Sequence, residues 1–451
     1  MKESKFNFVF PYEADDSKTL LYNSRTNALA LIENDKLDQF NTFRQQGTPI
    51  SDDSLLHDLT YGGYVVDDDT DELAMLRYHM LQSRFNSSRM NLTIAPTSDC
   101  NFRCIYCYEK ESLRNSFMSK EVQQGILDYI TNIAPSLTSL SVTWYGGEPL
   151  LALNVIEYLA EKIMSICDEN HVTYTSSIIT NGYLLTPAVA STLGRICVSH
   201  IQITLDGSRE QHDKRRPLMG GQPTFDKIIS NIEHAKENLP CPISIRINVD
   251  KENISEIDEV LNILTERGLD DCTTAYLGMV ENSNSTYQEK SCFCVEEFSM
   301  ADYEFRLHHG TEQQVLSYPD LVYSVCSAEC LSGLVVDSDG LLYKCWDDIG
   351  IADRSIGKIT EDGATHNQIL LDYMLYDPTK DDECKECKYL PICMGGCPHR
   401  RQYLPEIRCT MQRYQMDKNI TRVANHMVAQ KSTSCPASCS INGESCDDVQ
   451  S

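Results

Sequence analysis

Positive charge is in short supply in this sequence. Only 39 Lys and Arg stand against 66 Asp and Glu, a formal net charge of −27. Duplex nucleic acid and anionic membrane surfaces both reward basic patches, so neither is an expected partner. Long apolar runs are missing as well. The opening MKESKFNFVF carries no extended hydrophobic segment, and no stretch approaches the roughly 18 apolar residues of a spanning helix. The expectation is a cytoplasmic protein whose thiols stay reduced. No internal repeat of about 20–50 residues stands out.

Cysteine is what the chain has in excess, 20 residues in 451. In a reducing compartment such thiols read as metal ligands before they read as disulfides. The length predicts two or three domains. Apolar residues at 41% and charged ones at 23% are ordinary for a soluble globular protein.

Residues 1–90 read as a separate small unit. "TLLYNSRTNALALI" (19–32) is a hairpin candidate, followed by helical stretches near 34–45 and 51–59. "GGYVVDDDTDELAMLRYHMLQ" (62–82) predicts a turn, a short strand and an amphipathic helix. That mix suits a winged-helix-like module or a cap on the next domain. From 91 to 290, strand candidates at 91–96, 139–146, 174–182, 200–207 and 243–250 alternate with helix candidates at 119–133, 154–168, 186–195, 224–238 and 255–267. This βαβα rhythm predicts a parallel sheet or barrel, with ligands at the carboxyl ends of the strands. Residues 283–320, with Cys292 and Cys294, read as an irregular polar bridge. The region 326–409 is cysteine-dense, a helix is predicted near 411–430, and the tail reads as disordered.

"TSDCNFRCIYCYEK" (97–110) gathers Cys100, Cys104 and Cys107. Three thiols are odd for disulfides, and zinc normally takes four ligands. A [4Fe–4S] cluster has four iron corners, so three cysteines leave one iron open to a cofactor.

The Cx3Cx2C spacing after the first barrel strand, with the aromatic Tyr106 before its last cysteine, resembles the radical S-adenosylmethionine (SAM) superfamily. In that family the open iron is chelated by SAM, whose cleavage gives a 5′-deoxyadenosyl radical that abstracts hydrogen. Further elements fit in order. "YGGEP" (145–149) resembles the family's GGEP, implying that Gly146, Gly147 and Glu148 hold the SAM amino group. "TNG" (180–182) resembles the ribose-contacting segment, with Asn181. "ITLDG" (203–207) offers Thr204, and "IRINVD" (245–250) offers Arg246 as a fork for the SAM carboxylate. Glycines let backbone approach a ligand closely. The bland alternatives are a turn, a strand residue and a surface ion-pair partner. The fold implied is α/β, a partial (β/α)6 TIM-type barrel over 91–290. A small winged-helix-like peptide-recognition domain (1–90) precedes it. A bridge (291–320), a cysteine-rich iron–sulfur domain (321–415) and a C-terminal helix with a cysteine-bearing tail (416–451) follow.

Downstream, "GLLYKC" (Gx4C) and "CKECKYLPICMGGC" (Cx2Cx5Cx3C) resemble the SPASM domain of radical SAM enzymes that modify peptides and proteins. The resemblance implies two auxiliary [4Fe–4S] clusters, three in all. Cys326, Cys330, Cys345 and Cys397 are allotted to the first, Cys384, Cys387, Cys393 and Cys409 to the second. Whether both Cys326 and Cys330 ligate is open, and two zinc sites would use the same residues.

The implied activity is modification of a ribosomally made precursor peptide with a leader, by thioether formation or else by a carbon–carbon crosslink. A sulfatase-type maturase oxidising Cys or Ser is the alternative. That type carries Asp directly after the cysteine of Gx4C, where this chain has Trp346 before Asp347 and Asp348, and it starts near its Cx3Cx2C motif, whereas about 90 residues precede the motif here. A non-catalytic iron–sulfur electron carrier would not need Glu148, Asn181 or Arg246. The N-terminal unit resembles in layout a module that adds a peptide as a strand to its sheet edge. Asp347, Asp348 and His399 are acid–base candidates, with solvated surface positions the default expectation. A flavodoxin or ferredoxin electron donor and an anaerobic setting are implied. Cys167, Cys197, Cys241 and Cys272 are expected to pack in the core. Cys435, Cys439 and Cys446 read as incidental thiols of the tail, though their stretch resembles a cysteine-bearing peptide substrate.

Overall fold

The structure, a computed structural model, describes residues 1–316, 318–359 and 365–433; the tail cysteines Cys435, Cys439 and Cys446 lie outside them. The chain opens with β1 (Lys2–Glu3) and β2 (Asn7–Pro11), and the expected hairpin follows as β3 (Lys18–Asn23) and β4 (Ala28–Glu33). Its turn is set by Asn23, whose side-chain oxygen accepts from the backbone N–H of Arg25 and Thr26, each at 3.0 Å. Strands β2, β3 and β4 form an antiparallel meander. Helices α1 (Asn34–Gln46) and α2 (Asp53–Tyr61), strand β5 (Val65–Val66) and helix α3 (Glu72–Arg84) complete the unit.

Six parallel strands then alternate with helices: β6 (Arg89–Ile94), α4 (Lys120–Ile133), β7 (Ser139–Trp144), α5 (Leu153–Glu169), β8 (Thr173–Thr180), α6 (Pro187–Arg195), β9 (Val198–Thr204), α7 (Arg209–Arg215), α8 (Phe225–Ala235), β10 (Ile243–Val249), α9 (Ile257–Glu266) and β11 (Thr273–Met279). This is the partial TIM-type barrel expected. Ile94, Val142, Ile178, Ile203 and Ile245 are fully buried in it. Its helices start where the sequence supplies caps: Ser119 accepts from Val122 N–H, and Thr186, followed by Pro187, accepts from Val189 N–H.

The expectations are corrected in three places. The sixth strand, β11, lacks the apolar alternation of the others because it is the barrel's edge strand and most of its residues are only half-buried. The supposedly irregular bridge contains helix α10 (Val295–His309), whose N-cap is the thiol of Cys294 paired with Glu297 in a capping box. Ser or Thr would have flagged it; cysteine does not. Cys197 is exposed rather than core, because it occupies a turn at φ 57° between α6 and β9.

Past α10, β12 (Gly333–Val336), β13 (Leu341–Tyr343) and β14 (Gly357–Lys358) extend the same sheet, β12 pairing in parallel with β6. The β6 edge of the barrel is thereby covered by the cysteine-rich region, while β11 remains the outer strand at the other edge. The two ends of the chain share cores. Phe8, Leu20 and Tyr22 pack with Ile392, Met416 and Ile420, and Phe6, Leu76 and Met80 with Leu390 and Met394. Among the described residues no helix is long and apolar enough to cross a membrane.

Candidate functional site

Beyond β6 the chain leaves the barrel in a loop that carries Cys100, Cys104 and Cys107. All three line one cavity of about 360 Å³ at the carboxyl ends of the strands, a size suited to a small-molecule ligand. Tyr106, Gly146, Gly147, Glu148, Asn181, Thr204 and Arg246 line the same cavity, so every candidate cofactor residue is brought together there.

The cysteine loop is fixed from below. Arg103 and Ile105 donate backbone N–H groups to the carbonyls of Pro217 (2.8 Å) and Arg215 (2.9 Å). The Tyr106 hydroxyl donates to Asp206 and accepts from Arg216 (2.8 Å) and Asn248 (3.1 Å). Asp206 also lies 3.5 Å from Arg215, which pairs with Asp250 at 2.9 Å. Sequence reading missed this buried network. Asp206 directly follows the β9 motif, and Asn248 stands two residues beyond Arg246 on the same strand face, which was the available clue.

The glycines serve the loop as much as a ligand. A Cβ on Gly147 would sit 2.1 Å from the Asp99 carbonyl oxygen, so only glycine lets the two backbones approach. Glu148 is 1% exposed, and its carboxylate accepts from Leu150 N–H (3.0 Å), the Thr180 hydroxyl (2.6 Å) and Asn181 N–H (2.7 Å). It thus braces the end of β8 against that of β7. Asn181 reaches back to donate to Asn101 at 2.7 Å. Thr204 and Arg246 are register partners on β9 and β10. Arg246 donates to Asn248 at 2.7 Å and runs over Gly278, where a Cβ would fall 2.3 Å from its Nε.

Burial pushes all three thiols upward, that of Cys104 against the opposing charge of Arg216. Thiolates at this place therefore need a cationic metal centre beside them, and three sulfurs on one cavity wall fit that demand.

An aromatic wall was not anticipated. Tyr108 bonds Tyr145 hydroxyl to hydroxyl, and Tyr145 stacks on Trp346 with ring centroids 5.2 Å apart. Trp346 and Asp347 both line the cavity. The acid–base candidates are not solvated surface groups, because the cysteine-rich region folds over them. His399 is 2% exposed and stands between Asp347 (3.7 Å) and Asp348 (3.5 Å). Burial raises the Asp347 carboxyl to about 6 against the opposing pull of His399. Asp348 does not reach the cavity, its oxygens being engaged by Arg354 (3.1 Å) and Tyr373 (2.8 Å).

The remaining candidate cysteines lie outside this cavity. Burial first pushes up the thiols of Cys326, Cys345 and Cys393, and neighbouring thiols add to it: Cys397 and Cys330 for Cys326, Cys397 for Cys345, and Cys409 and Cys387 for Cys393. Cys384 stands 3.7 Å from the Tyr376 hydroxyl. Among the described residues no disulfide forms, and no set of three or more His, Cys, Asp or Glu is gathered tightly enough for a single metal ion.

Residues 94–264, the barrel with its cysteine loop, match the Radical SAM superfamily. The chain is an enzyme that carries a radical SAM domain over those residues. Over 343 residues it is 24% identical to the cysteine-type anaerobic sulfatase-maturating enzyme of Clostridium perfringens, covering 68% of this chain and 88% of that one. It is also 24% identical over 323 residues to the serine-type enzyme of Klebsiella pneumoniae, covering 66% and 79%. In structure it is similar to native anSMEcpe with bound AdoMet (TM-score 0.56, 21% identity, 76% of this chain and 99% of that one). Streptococcus suis SuiB bound to its precursor peptide SuiA is similar too, at TM-score 0.53 and 15% identity, covering 91% and 99%. The family implies a [4Fe–4S] cluster and SAM.

Proposed function

We propose that this enzyme modifies a ribosomally made precursor peptide, installing a thioether from cysteine. The observation that carries the reading is the single cavity joining the three cysteines of the loop to Glu148, Asn181, Thr204 and Arg246, with Trp346 and Asp347 of the cysteine-rich region in its wall. Cys100, Cys104 and Cys107 would hold the cluster, and Arg246 with the Gly146–Glu148 backbone would hold the SAM carboxylate and ammonium. When bound, cluster and SAM together supply one-electron cleavage of the sulfonium and hydrogen-atom abstraction from substrate. The protein's residues orient, and the aromatic wall limits water. Cys326, Cys330, Cys345 and Cys397 are assigned to a first auxiliary cluster, and Cys384, Cys387, Cys393 and Cys409 to a second, in a unit spanning 321–415. The first set is flanked by the cations Arg84, Lys344 and Arg401 and by the carboxylates of Glu329, Asp347 and Asp348.

The N-terminal meander of residues 1–90 supports a peptide leader as partner, since an edge strand can take up an added strand. SuiB, which spans nearly all of this chain's length, was solved with a precursor peptide. A flavodoxin or ferredoxin is the proposed electron donor, in a reducing cytoplasm. A sulfatase-type oxidation is the second reading, favoured by the likeness to the two sulfatase maturases. Anaerobic reconstitution should give about twelve irons per chain and SAM-dependent 5′-deoxyadenosine. Incubation with cysteine-containing peptides then separates the readings by mass: loss of a hydrogen pair with the thiol blocked to alkylation marks a thioether, a new aldehyde marks the maturase. Iron without SAM cleavage would refute both.

A further inference from the structure

The last turn of α3 belongs to the N-terminal unit, yet it grips the loop that carries Cys326 and Cys330. Arg84 is 1% exposed and Glu329 is fully buried, with Arg84 Nη2 and Glu329 Oε1 3.0 Å apart. Arg401, four residues after Cys397, contacts the same carboxylate oxygen. The other oxygen of Glu329 accepts from Val325 N–H at 3.2 Å, just ahead of Cys326. Beyond Cys330, Leu331 donates its N–H to the carbonyl of Arg84 at 2.7 Å. Arg84 therefore holds the loop on both sides of Cys330, by side chain and by main chain. Ser324 and Ser83 share a hydroxyl bond of 2.8 Å one turn away, and the rings of His79 and Tyr323 lie 5.0 Å apart.

We infer that Arg84 is a positioning residue for the first auxiliary cysteine set, acting through Glu329, so that the N-terminal unit is part of that metal site as well as a peptide reader. The inference rests on the auxiliary-cluster reading above. A buried ion pair earns its place here by geometry rather than by stability, since replacing such pairs with neutral groups of similar shape is often harmless to folding. What its loss removes is the fixed spacing of two sulfurs that must meet one cluster.

The test uses the full chain with Cys100, Cys104 and Cys107 changed to alanine, so that only auxiliary clusters remain, with about eight irons expected per chain. Into this background go Arg84→Gln, Arg84→Lys and the double change Arg84→Gln/Glu329→Gln, which leaves the local net charge unaltered. Iron content and the low-temperature EPR spectrum of the reduced protein are read together. The expected result is loss of about half the iron, or an altered signal from one of two clusters, in Arg84→Gln and again in the double variant, with a smaller change in Arg84→Lys. Parent iron and an unchanged spectrum in any of these variants that folds, Arg84→Lys included, would overturn the inference. A parent-like spectrum in the double variant alone would reduce the effect to charge and also overturn it. A background protein that takes up no iron would sink the auxiliary-cluster reading itself, and this inference with it.

Discussion

Gly147→Ala tests the claim that the cavity depends on two backbones in contact. The added Cβ would stand 2.1 Å from the Asp99 carbonyl oxygen and 3.3 Å from Cys100 Cβ. Relief requires the two segments to part by about an ångström, an overpacking that costs about 1–3 kcal/mol. The same carbonyl accepts from Glu148 N–H at 2.9 Å, and losing a buried hydrogen bond adds about 1–3 kcal/mol. The sum, about 2–6 kcal/mol, falls within the total stability of a typical domain. The fold should survive while the cysteine loop swings off the strand ends. Reconstituted Gly147→Ala should form 5′-deoxyadenosine at least about tenfold more slowly, the equivalent of ~1.4 kcal/mol, and should hold less iron at the loop. Gly194→Ala is the control: its Cβ meets Pro240 at an ordinary 3.6 Å, and alanine gains about 1 kcal/mol of helix propensity. Turnover and iron in Gly147→Ala within twofold of the control would refute the reasoning.

Three further outcomes are expected. Arg246→Lys should raise the KM for SAM about tenfold, worth ~1.4 kcal/mol, with little change in kcat, because the charge remains while the fork is lost; steady-state assays of SAM cleavage check it. His212 is fully buried beside Arg215 and Arg216, and burial first, then those charges, hold its pKa well below the usual value. The unfolded chain therefore binds a proton that the folded one refuses, so stability should fall as pH drops below about 6.5, and thermal melts of His212→Gln should lose up to about 1.4 kcal/mol per pH unit of that slope. Of the two tryptophans, Trp144 is buried and Trp346 is 41% exposed, so Trp346→Phe should abolish the acrylamide-quenchable part of the emission; persistent quenching would contradict the placement.

The strands and helices of the barrel were legible because their caps and apolar periods are local. Ser119 and Thr186 mark helix starts in the sequence itself, and β10 alternates buried and half-buried residues along its length. The cavity residues were legible for a related reason, since they stand in or just beyond the carboxyl halves of strands, whose ends converge in a parallel barrel. What escaped depends on distant pairs. Tyr106 and Asp206 are 100 residues apart, and nothing near either one announces the bond. The burial of Asp348 and His399 likewise depends on partners distant in sequence, Asp348 bonding Tyr373 and facing His399. Helix α10 escaped for a chemical reason, the cysteine in its cap.

The departure from the sulfatase-type pattern at Trp346 takes on a different meaning in three dimensions. In sequence, the inserted tryptophan displaces the acidic residue from its place after the cysteine of Gx4C. In the fold, the indole turns onto Tyr145, the residue that opens YGGEP, and Asp347 still lines the cavity. A carboxylate and an aromatic face therefore stand side by side in the cavity wall. Tyr108 follows Cys107 and Trp346 follows Cys345, so the wall Tyr108–Tyr145–Trp346 joins the two cysteine loops across the cavity. A substrate side chain entering between those loops meets a flat apolar surface on one side and Asp347 with Arg246 close by. Such a wall favours a peptide segment with apolar or aromatic residues next to the reacting one. Trp346→Ala should then relax that preference while leaving SAM cleavage without peptide unchanged; equal selectivity among cysteine peptides flanked by phenylalanine or by glycine, in parent and variant alike, would assign the wall a purely structural role.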